Sequence, residues 1–511
     1  MNKKIKRAFA LFMAIVAVVL VFAACGNNNS ADNGSTTTIR IFNRVNPEVQ
    51  YGDSNDWVKA VEKAANVKLD IEAPAPSNYN DKLQILMSSG DMPDIIYIFQ
   101  NDNNYDTWAK NGLFLELDDL IDKYPNLKNN ISKELWETAR STSTGKIMAV
   151  PKPNIKNHWG FVANDKWLEK LGMSAPETLD EFYELAKAIA TQDPDGNGKN
   201  DTYILSPEGQ TTVGASVWNE TFLMAAFNID AYSYRPDTDG KFKPKEQFEG
   251  YYPYLEYMHK LYEEKLIDPE FFINKSGGSV DKLSQNRIGI IQGHDGNVKG
   301  LFGKVATAIT DFSFYPPLKN PQGERISYNP PSVWGYWAIP SNSKKAEAAL
   351  KLLDWANSEE GARIMNIGEE GVHYESYDEK LKAVFRTDAQ SEKCRKEFSS
   401  YTPFSVTYNS EPIYISLCDT QEKLDKYYKD LNNYLDKVTE VDVPSVVSPK
   451  LIDLMASNPD LFKKRDQMEV QYITGDISLS ELKAFIDGEF LPKTAEAYAE
   501  FAKLMEKAYE K

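Results

Sequence analysis

Between Thr38 and Phe99 the chain alternates strand-like and helix-like stretches, and no other feature limits its fold so strongly. Thr38-Ile39-Arg40-Ile41-Phe42 has the period-two alternation of a half-buried strand. Trp57 to Ala65 reads as a helix, Val67 to Ile71 as a second strand and Tyr79 to Ser88 as a second helix. The turn Ser89-Gly90-Asp91-Met92-Pro93-Asp94 then leads into the apolar strand Ile95 to Phe99. Strands separated by helices predict an α/β sheet rather than a sandwich of sheets. Ligands of such sheets sit beyond the carboxyl ends of the strands, which places Asn43, Arg44, Gln100 and Asn101 at a cleft.

Further along, helical patterns dominate. Thr178-Leu179-Asp180-Glu181 has the spacing of a capping box, and Phe182, Leu185, Ala186 and Ile189 recur at helical period until about Gln192. A second amphipathic helix is predicted over Tyr252 to Lys265, closed by Leu266-Ile267-Asp268-Pro269. Ile288 to Ile291 and Tyr336 to Ile339 read as short strands, and Ser343 to Ser358 as one long helix. From Tyr377 onward the pattern is mainly helical, with no internal repeat.

A length of 511 residues exceeds one ordinary core and predicts two or three domains. The formal charge of -17 repels nucleic acid and anionic lipid, which removes both from the partners to expect. The amino terminus is the exception to this acidity. Lys3, Lys4, Lys6 and Arg7 precede the apolar run Phe9 to Phe22, and Ala23-Ala24-Cys25 follows. This is a secretory leader, and a cysteine in the first mature position resembles a bacterial lipoprotein cleavage site, although Phe22 stands where such signals mostly carry Leu. Residues 1–24 are thus expected to be removed, Cys25 to be acylated, and 25–36 to act as a polar tether holding the protein on the extracellular face of the cytoplasmic membrane. The alternative is an ordinary secreted protein with an incidental cysteine. After Cys25 there remain Cys394 and Cys418, which an oxidising setting allows to pair. His158, His259, His294 and His373 are not grouped with cysteine at zinc-ligand spacing.

Directly after the capped helix comes Asp193-Pro194-Asp195-Gly196-Asn197-Gly198-Lys199-Asn200-Asp201. Oxygen donors at alternate positions, with glycines for the sharp turn, suit a hard cation that collects oxygens. Structural calcium is expected on the side chains of Asp193, Asp195, Asn197 and Asp201 and the carbonyl of Lys199. Ile204 stands where an EF-hand has its last glutamate, so Thr202 or water must complete the shell. The alternative is a solvated Asp/Asn/Gly turn.

Several segments taken together resemble the bacterial extracellular solute-binding proteins, family 1. They are Ser89 to Ile96, Lys166 to Gly172, Pro176 to Phe182, Leu261 to Pro269, Lys351 to Gly361 and Gly368 to Tyr374, and their order spans nearly all of the mature chain. The calcium-like loop and the long carboxyl-terminal extension resemble the large oligosaccharide-binding branch. Asn164-Asp165-Lys166-Trp167 departs from an Arg-x-Asp-Trp run common there, so no contact made by that arginine carries over. The resemblance implies a type II periplasmic-binding-protein-like α/β fold, with two lobes joined by a hinge and a ligand cleft between them. Its expected partners are a carbohydrate and the permease subunits of an ABC importer, with the protein itself a monomer. From the strand pattern, one lobe is expected at 37–155 and 287–335, the other at 156–286 and 336–511.

Sugars offer apolar C–H faces and polar rims, so their sites combine aromatic plates with amides, carboxylates and arginine. Candidate ligand residues are Arg44, Gln100, Asn101, Trp159, Trp218, Asn219, Glu220, Asp295, Trp334, Trp337 and His373. Trp167 and Trp355 lie inside helical patterns and are assigned to packing. A surface glycosidase is the rival from another class and needs two carboxylates roughly 5 to 10 Å apart. With 75 acidic residues, adjacent acids such as Glu369 and Glu370 carry no such information. A glycan or peptide adhesin without a transport partner is the third class.

Overall fold

The alternating segment builds three parallel strands with its first strand in the middle. A computed structural model describes residues 36–44, 49–74, 78–99, 102, 104–153, 158–207, 220–229, 235–274, 278–294, 311–329, 333–378, 383–398, 420–444, 446 and 448–510. Its strands are Thr37–Phe42 (β1), Val67–Glu72 (β2), Ile95–Phe99 (β3), Val150–Pro153 (β4), Trp159–Asn164 (β5), Ile290–His294 (β6), Phe312–Tyr315 (β7), Ile326–Asn329 (β8), Val333–Ala338 (β9), Ser376–Asp378 (β10), Ala383–Phe385 (β11) and Thr439–Asp442 (β12).

The first sheet has the order β2-β1-β3-β9-β4. β1 runs parallel to β2 and β3, whereas β9 runs antiparallel to both β3 and β4. The helix Asp56–Ala65 forms where the sequence supplies both ends. Asn55 caps it by accepting from the Val58 amide at 2.9 Å, and Asn66 closes it with a left-handed φ of 52°. Its buried face, Trp57, Val58 and Val61, joins Ile39, Ile41, Leu83, Ile95 to Ile98, Trp337, Leu350 and Leu353 in one core.

The second sheet, β6-β5-β7, is wholly antiparallel. Successive side chains of β5 serve opposite faces. Phe161 and Ala163 enter a core with Phe182, Leu185, Tyr254, Leu255 and Phe271, while Val162 packs with Phe312, Phe314 and Tyr434. Carboxyl-terminal helices complete the former core through Leu461, Tyr472, Ile473, Phe485 and Phe490. β8 pairs in parallel with β12, and β10 forms a hairpin with β11. Among the described residues no helix is long and apolar enough to cross a membrane.

The predicted helix 343–358 is shorter than expected, and a second helix follows it. Ala346–Ala356 ends, and the Ser358 side chain accepts from the Gly361 amide at 3.0 Å to start Glu359–Ile367. The capping box at Thr178 is half formed. Thr178 Oγ1 accepts from the Glu181 amide, but Glu181 Oε2 takes the Glu177 amide at 2.7 Å instead of that of Thr178.

Strand pairing corrects the grouping expected for 287–335 and for 336 onward. β6 and β7 pair with β5, not with the first sheet, and β9 lies between β3 and β4. Residues beyond 335 also belong partly to the first core, through Ala349, Leu353, Met365 and Phe398. Among the described residues, 39–150 and 333–398 thus line the first core and 161–318 and 461–490 the second, while 154–157, 330–332 and 399–419 lie outside the described residues. Cys25 and Cys418 lie outside them too, while the Cys394 thiol donates to the His373 carbonyl at 3.4 Å.

Candidate ligand-binding cleft

Strand directions bring four strand ends to one edge of the first sheet. β1 and β3 finish there at Phe42 and Phe99, β4 finishes at Pro153, and antiparallel β9 begins at Val333. Phe99 and Lys152 flank Gly335 on neighbouring strands and share one face of the sheet. Gly335 is required by close approach. A β-carbon there would collide with the Ile98 carbonyl and lie 2.7 Å from the Tyr97 hydroxyl. That hydroxyl donates to the Trp334 carbonyl at 2.8 Å.

The aromatic rings on this edge carry cations. The Arg44 guanidinium lies 5.1 Å from the centroid of the Phe99 ring, and the Lys152 ammonium 5.7 Å from that of Tyr97. Phe99 meets Tyr97 edge-on at 5.1 Å and Tyr79 at 5.5 Å. The Tyr79 hydroxyl donates to the Tyr97 carbonyl. Lys152 is only 5% exposed, and this burial pushes its ammonium down to about 8. Trp334, 39% exposed, stands at the rim.

The second sheet presents a smaller edge. Trp159 at the start of β5 pairs with His294 at the end of β6, their rings edge-to-face at 5.0 Å, and Trp159 is 37% exposed. Next to them Gln292 donates to Thr221 Oγ1 at 2.7 Å and accepts from the Phe222 amide at 3.1 Å. Glu220 precedes the short helix Thr221–Met224, and its side chain is buried. It faces Tyr254, whose hydroxyl is raised well above its ordinary value first by burial and then by the Glu220 charge.

The two edges are covalently close. From Pro153 to His158 the chain spans at most roughly 18 Å, at 3.3 to 3.6 Å per residue. Arg44 and Trp334 are thus on one edge and Trp159 and Glu220 on or beside the other. Gln100, Asn101, Trp218, Asn219 and Asp295 lie outside the described residues.

Two expected ligand residues belong elsewhere. Trp337 is wholly buried, its ring 4.7 Å from that of Tyr97, because its face of β9 is covered by the first core. His373 is also wholly buried and holds a hydrogen-bond network together. Its Nδ1 accepts from the Glu369 amide at 2.9 Å, and its Nε2 meets Glu397 Oε2 at 3.0 Å. Glu397 Oε2 in turn accepts from the amides of Asp56 and Trp57, both at 3.1 Å, and Lys393 bridges Glu397 and Asp56 at 2.7 and 2.6 Å. Burial lowers the His373 imidazole below its ordinary value despite the pull of Glu397. Trp167 is buried in the second core and Trp355 packs against the first, as their helical spacing implies. Sequence reasoning missed Lys152 and Phe99. A lysine between Pro151 and Pro153, after the apolar Ala149-Val150, was the available signal.

In the calcium-like loop the donor oxygens converge through Asn197. Its Nδ2 donates to Asp195 Oδ2 at 2.7 Å and to Asp201 Oδ1 at 2.9 Å, and Asp193 Oδ1 and Oδ2 accept from the Asn197 and Gly198 amides at 3.0 and 2.9 Å. Burial and the neighbouring Asp193 raise the Asp195 carboxyl above its ordinary value. Among the described residues no three carboxyl, imidazole or thiol groups form a ready-made metal cage. The oxygen-only donor set nevertheless fits a hard cation, with amide N–H groups of Asn197 standing between carboxylates. Thr202 does not fill the missing place. Its buried hydroxyl donates to the Ile189 carbonyl at 2.7 Å, and Ile204 is core.

The profile of the bacterial extracellular solute-binding protein family matches residues 50–363. Lipoprotein LipO of Bacillus subtilis (strain 168) is 27% identical over 440 residues, which cover 84% of this chain and 85% of the relative. The polygalacturonan/rhamnogalacturonan-binding protein YtcQ of the same strain is 26% identical over 489 residues, 92% of this chain and 93% of the relative. Among solved structures, the S. pneumoniae ABC-transporter substrate binding protein FusA in complex with kestose superposes with a TM-score of 0.71 at 19% identity, covering 93% of this chain and 99% of that one. Alginate-binding protein AlgQ2, solved without calcium ion, gives 0.68 at 18% identity, over 94% and 99% of the two chains. These structural likenesses establish the fold.

Proposed function

Because this chain belongs to the bacterial extracellular solute-binding protein family, whose members bind their ligand without transforming it, we propose that it captures an oligosaccharide between two hinged lobes and hands it to an ABC importer permease. The carrying observation is the pair of edges. Arg44, Phe99 and Trp334 stand on one sheet, Trp159 and His294 on another, and the short span from Pro153 to His158 bounds their separation. Rings partly open to solvent suit the C–H faces of sugars, while Glu220 and Arg44 suit hydroxyls. The lobes are 36–153 with 333–398, and 158–329 with 420–510, each around its own core. A ligand that touches both edges favours the closed arrangement by its extra contacts. Names of relatives, a polygalacturonan/rhamnogalacturonan binder and a kestose complex, support carbohydrate as the ligand class.

The same reading gives Cys25 a lipid anchor and the protein an extracellular place on the membrane, in keeping with a relative named as a lipoprotein. The Asp193 to Asp201 loop would hold calcium through Asp193, Asp195, Asn197 and Asp201 with the Lys199 carbonyl, the cation taking over the charge neutralisation now supplied by amide N–H groups. Titration calorimetry of the mature protein against an oligosaccharide panel, with mass spectrometry of the glycan afterwards, tests the function. Saturable binding and recovery of intact glycan are expected. Absence of binding across the panel, or shortened glycan, would contradict it.

A further inference from the structure

The first edge holds two cations that a neutral sugar does not need. The guanidinium of Arg44 rests over Phe99 and the ammonium of Lys152 over Tyr97, and the two rings meet at 5.1 Å. The charges therefore flank one edge-to-face aromatic pair, with Tyr97 only 2% exposed, at the carboxyl ends of β1, β3 and β4. Lys152 is on the last residue but one of β4, directly before the chain leaves for the second sheet. Asp102, an acid near this edge, is engaged by the amide and side-chain nitrogen of Asn104 at 2.9 and 3.1 Å. A surface with a formal charge of -17 repels anions at long range, so an anionic ligand has to be recognised by cations inside the site.

We propose that Arg44 and Lys152 form an anion-selective subsite that takes the carboxylate of an acidic sugar residue, with the part-buried Phe99 ring beside the sugar. This rests on the oligosaccharide-receptor reading and narrows its substrate class to glycans carrying carboxylates. Guanidinium offers a planar fork that matches a carboxylate, and a buried ammonium adds a point charge in a medium where charge acts strongly. Desolvation has lowered the lysine to about 8, and a bound carboxylate would raise it again, so acidic ligand should be taken up with net proton uptake near pH 8.

The probes are trigalacturonic acid and its fully methyl-esterified form, which loses the negative charges and gains one methyl group per sugar. Calorimetry on the mature protein is expected to show the acid binding at least about 10-fold more tightly than the ester. Lys152→Met keeps the aliphatic stem packed on Tyr97 and should cut acid affinity about 10- to 100-fold while changing ester affinity less than about 3-fold. Its melting temperature, read alongside, separates a lost charge from a lost fold. Arg44→Gln provides an independent second variant with the same expected pattern. Equal binding of acid and ester, or an unaltered preference in folded Lys152→Met, would overturn the anionic subsite and leave the receptor reading standing. If neither probe nor any neutral oligosaccharide of the panel binds, both fall together.

Discussion

The two sheets differ in what they bring to the space between them. The first is mixed, with five strands, and its edge carries rings topped by Arg44 and Lys152. The second is antiparallel, with three strands, and its edge offers Trp159, His294 and the neighbouring Glu220. Their apolar cores are separate as well. On the proposed reading one half would supply charge recognition and the other a stacking surface, and separate cores would let the halves shift relative to each other without repacking either interior.

The contrast is broken most severely in the first core. Trp337→Ala removes a wholly buried indole and should cost about 3–5 kcal/mol, read by denaturant unfolding, whereas Trp334→Ala at the rim should leave stability within about 0.5 kcal/mol and weaken glycan binding. The opposite pattern would return Trp337 to the ligand set. Next in size is Glu397→Ala, which strips an acceptor from two helix amides, His373 and Lys393 and should cost about 3 kcal/mol. This network also makes the first half acid-sensitive. The folded values of both His373 and Glu397 lie below their ordinary 6.5 and 4.5, so their contribution is complete above those values and is lost as pH falls through them. Calorimetric scans from pH 7.5 to 5 should show the first transition falling, and His373→Gln should flatten that slope.

On the second edge, Trp159→Ala should reduce glycan affinity about 10-fold with little change in melting temperature. If affinity is unchanged, that half contributes no stacking surface. The smallest effect is expected at the Asp193 to Asp201 loop. Calcium at ten times its Kd would add roughly 1.4 kcal/mol to the second half, and Asp195→Asn should abolish the increment seen in calorimetry with and without chelator.

Much of the first sheet was legible because its order is local. β1, β2 and β3 follow one another with a helix between each pair, and Asn55, Asn66, Gly90 and Pro93 mark the ends in sequence. The helix Leu179–Thr191 announced itself likewise through Thr178. Assignment of later strands was not legible. Ile290–His294 and Val333–Ala338 are both short apolar runs containing glycine, and what separates them is a partner far earlier in the chain, Phe161 for one and Ile98 for the other. Trp334 and Trp337 failed to sort for a related reason. They fall on opposite faces of β9, both faces are covered by protein, and only the strand end leaves Trp334 open. His373 resembled a site residue because chemistry-bearing groups in a turn look the same whether they meet a ligand or, as here, a helix terminus.

The most direct test is small-angle X-ray scattering of the mature protein, free and saturated with a glycan that calorimetry shows to bind. A smaller radius of gyration in the complex, with the glycan recovered intact, is the predicted result. Identical scattering at proven saturation would contradict capture by two closing halves.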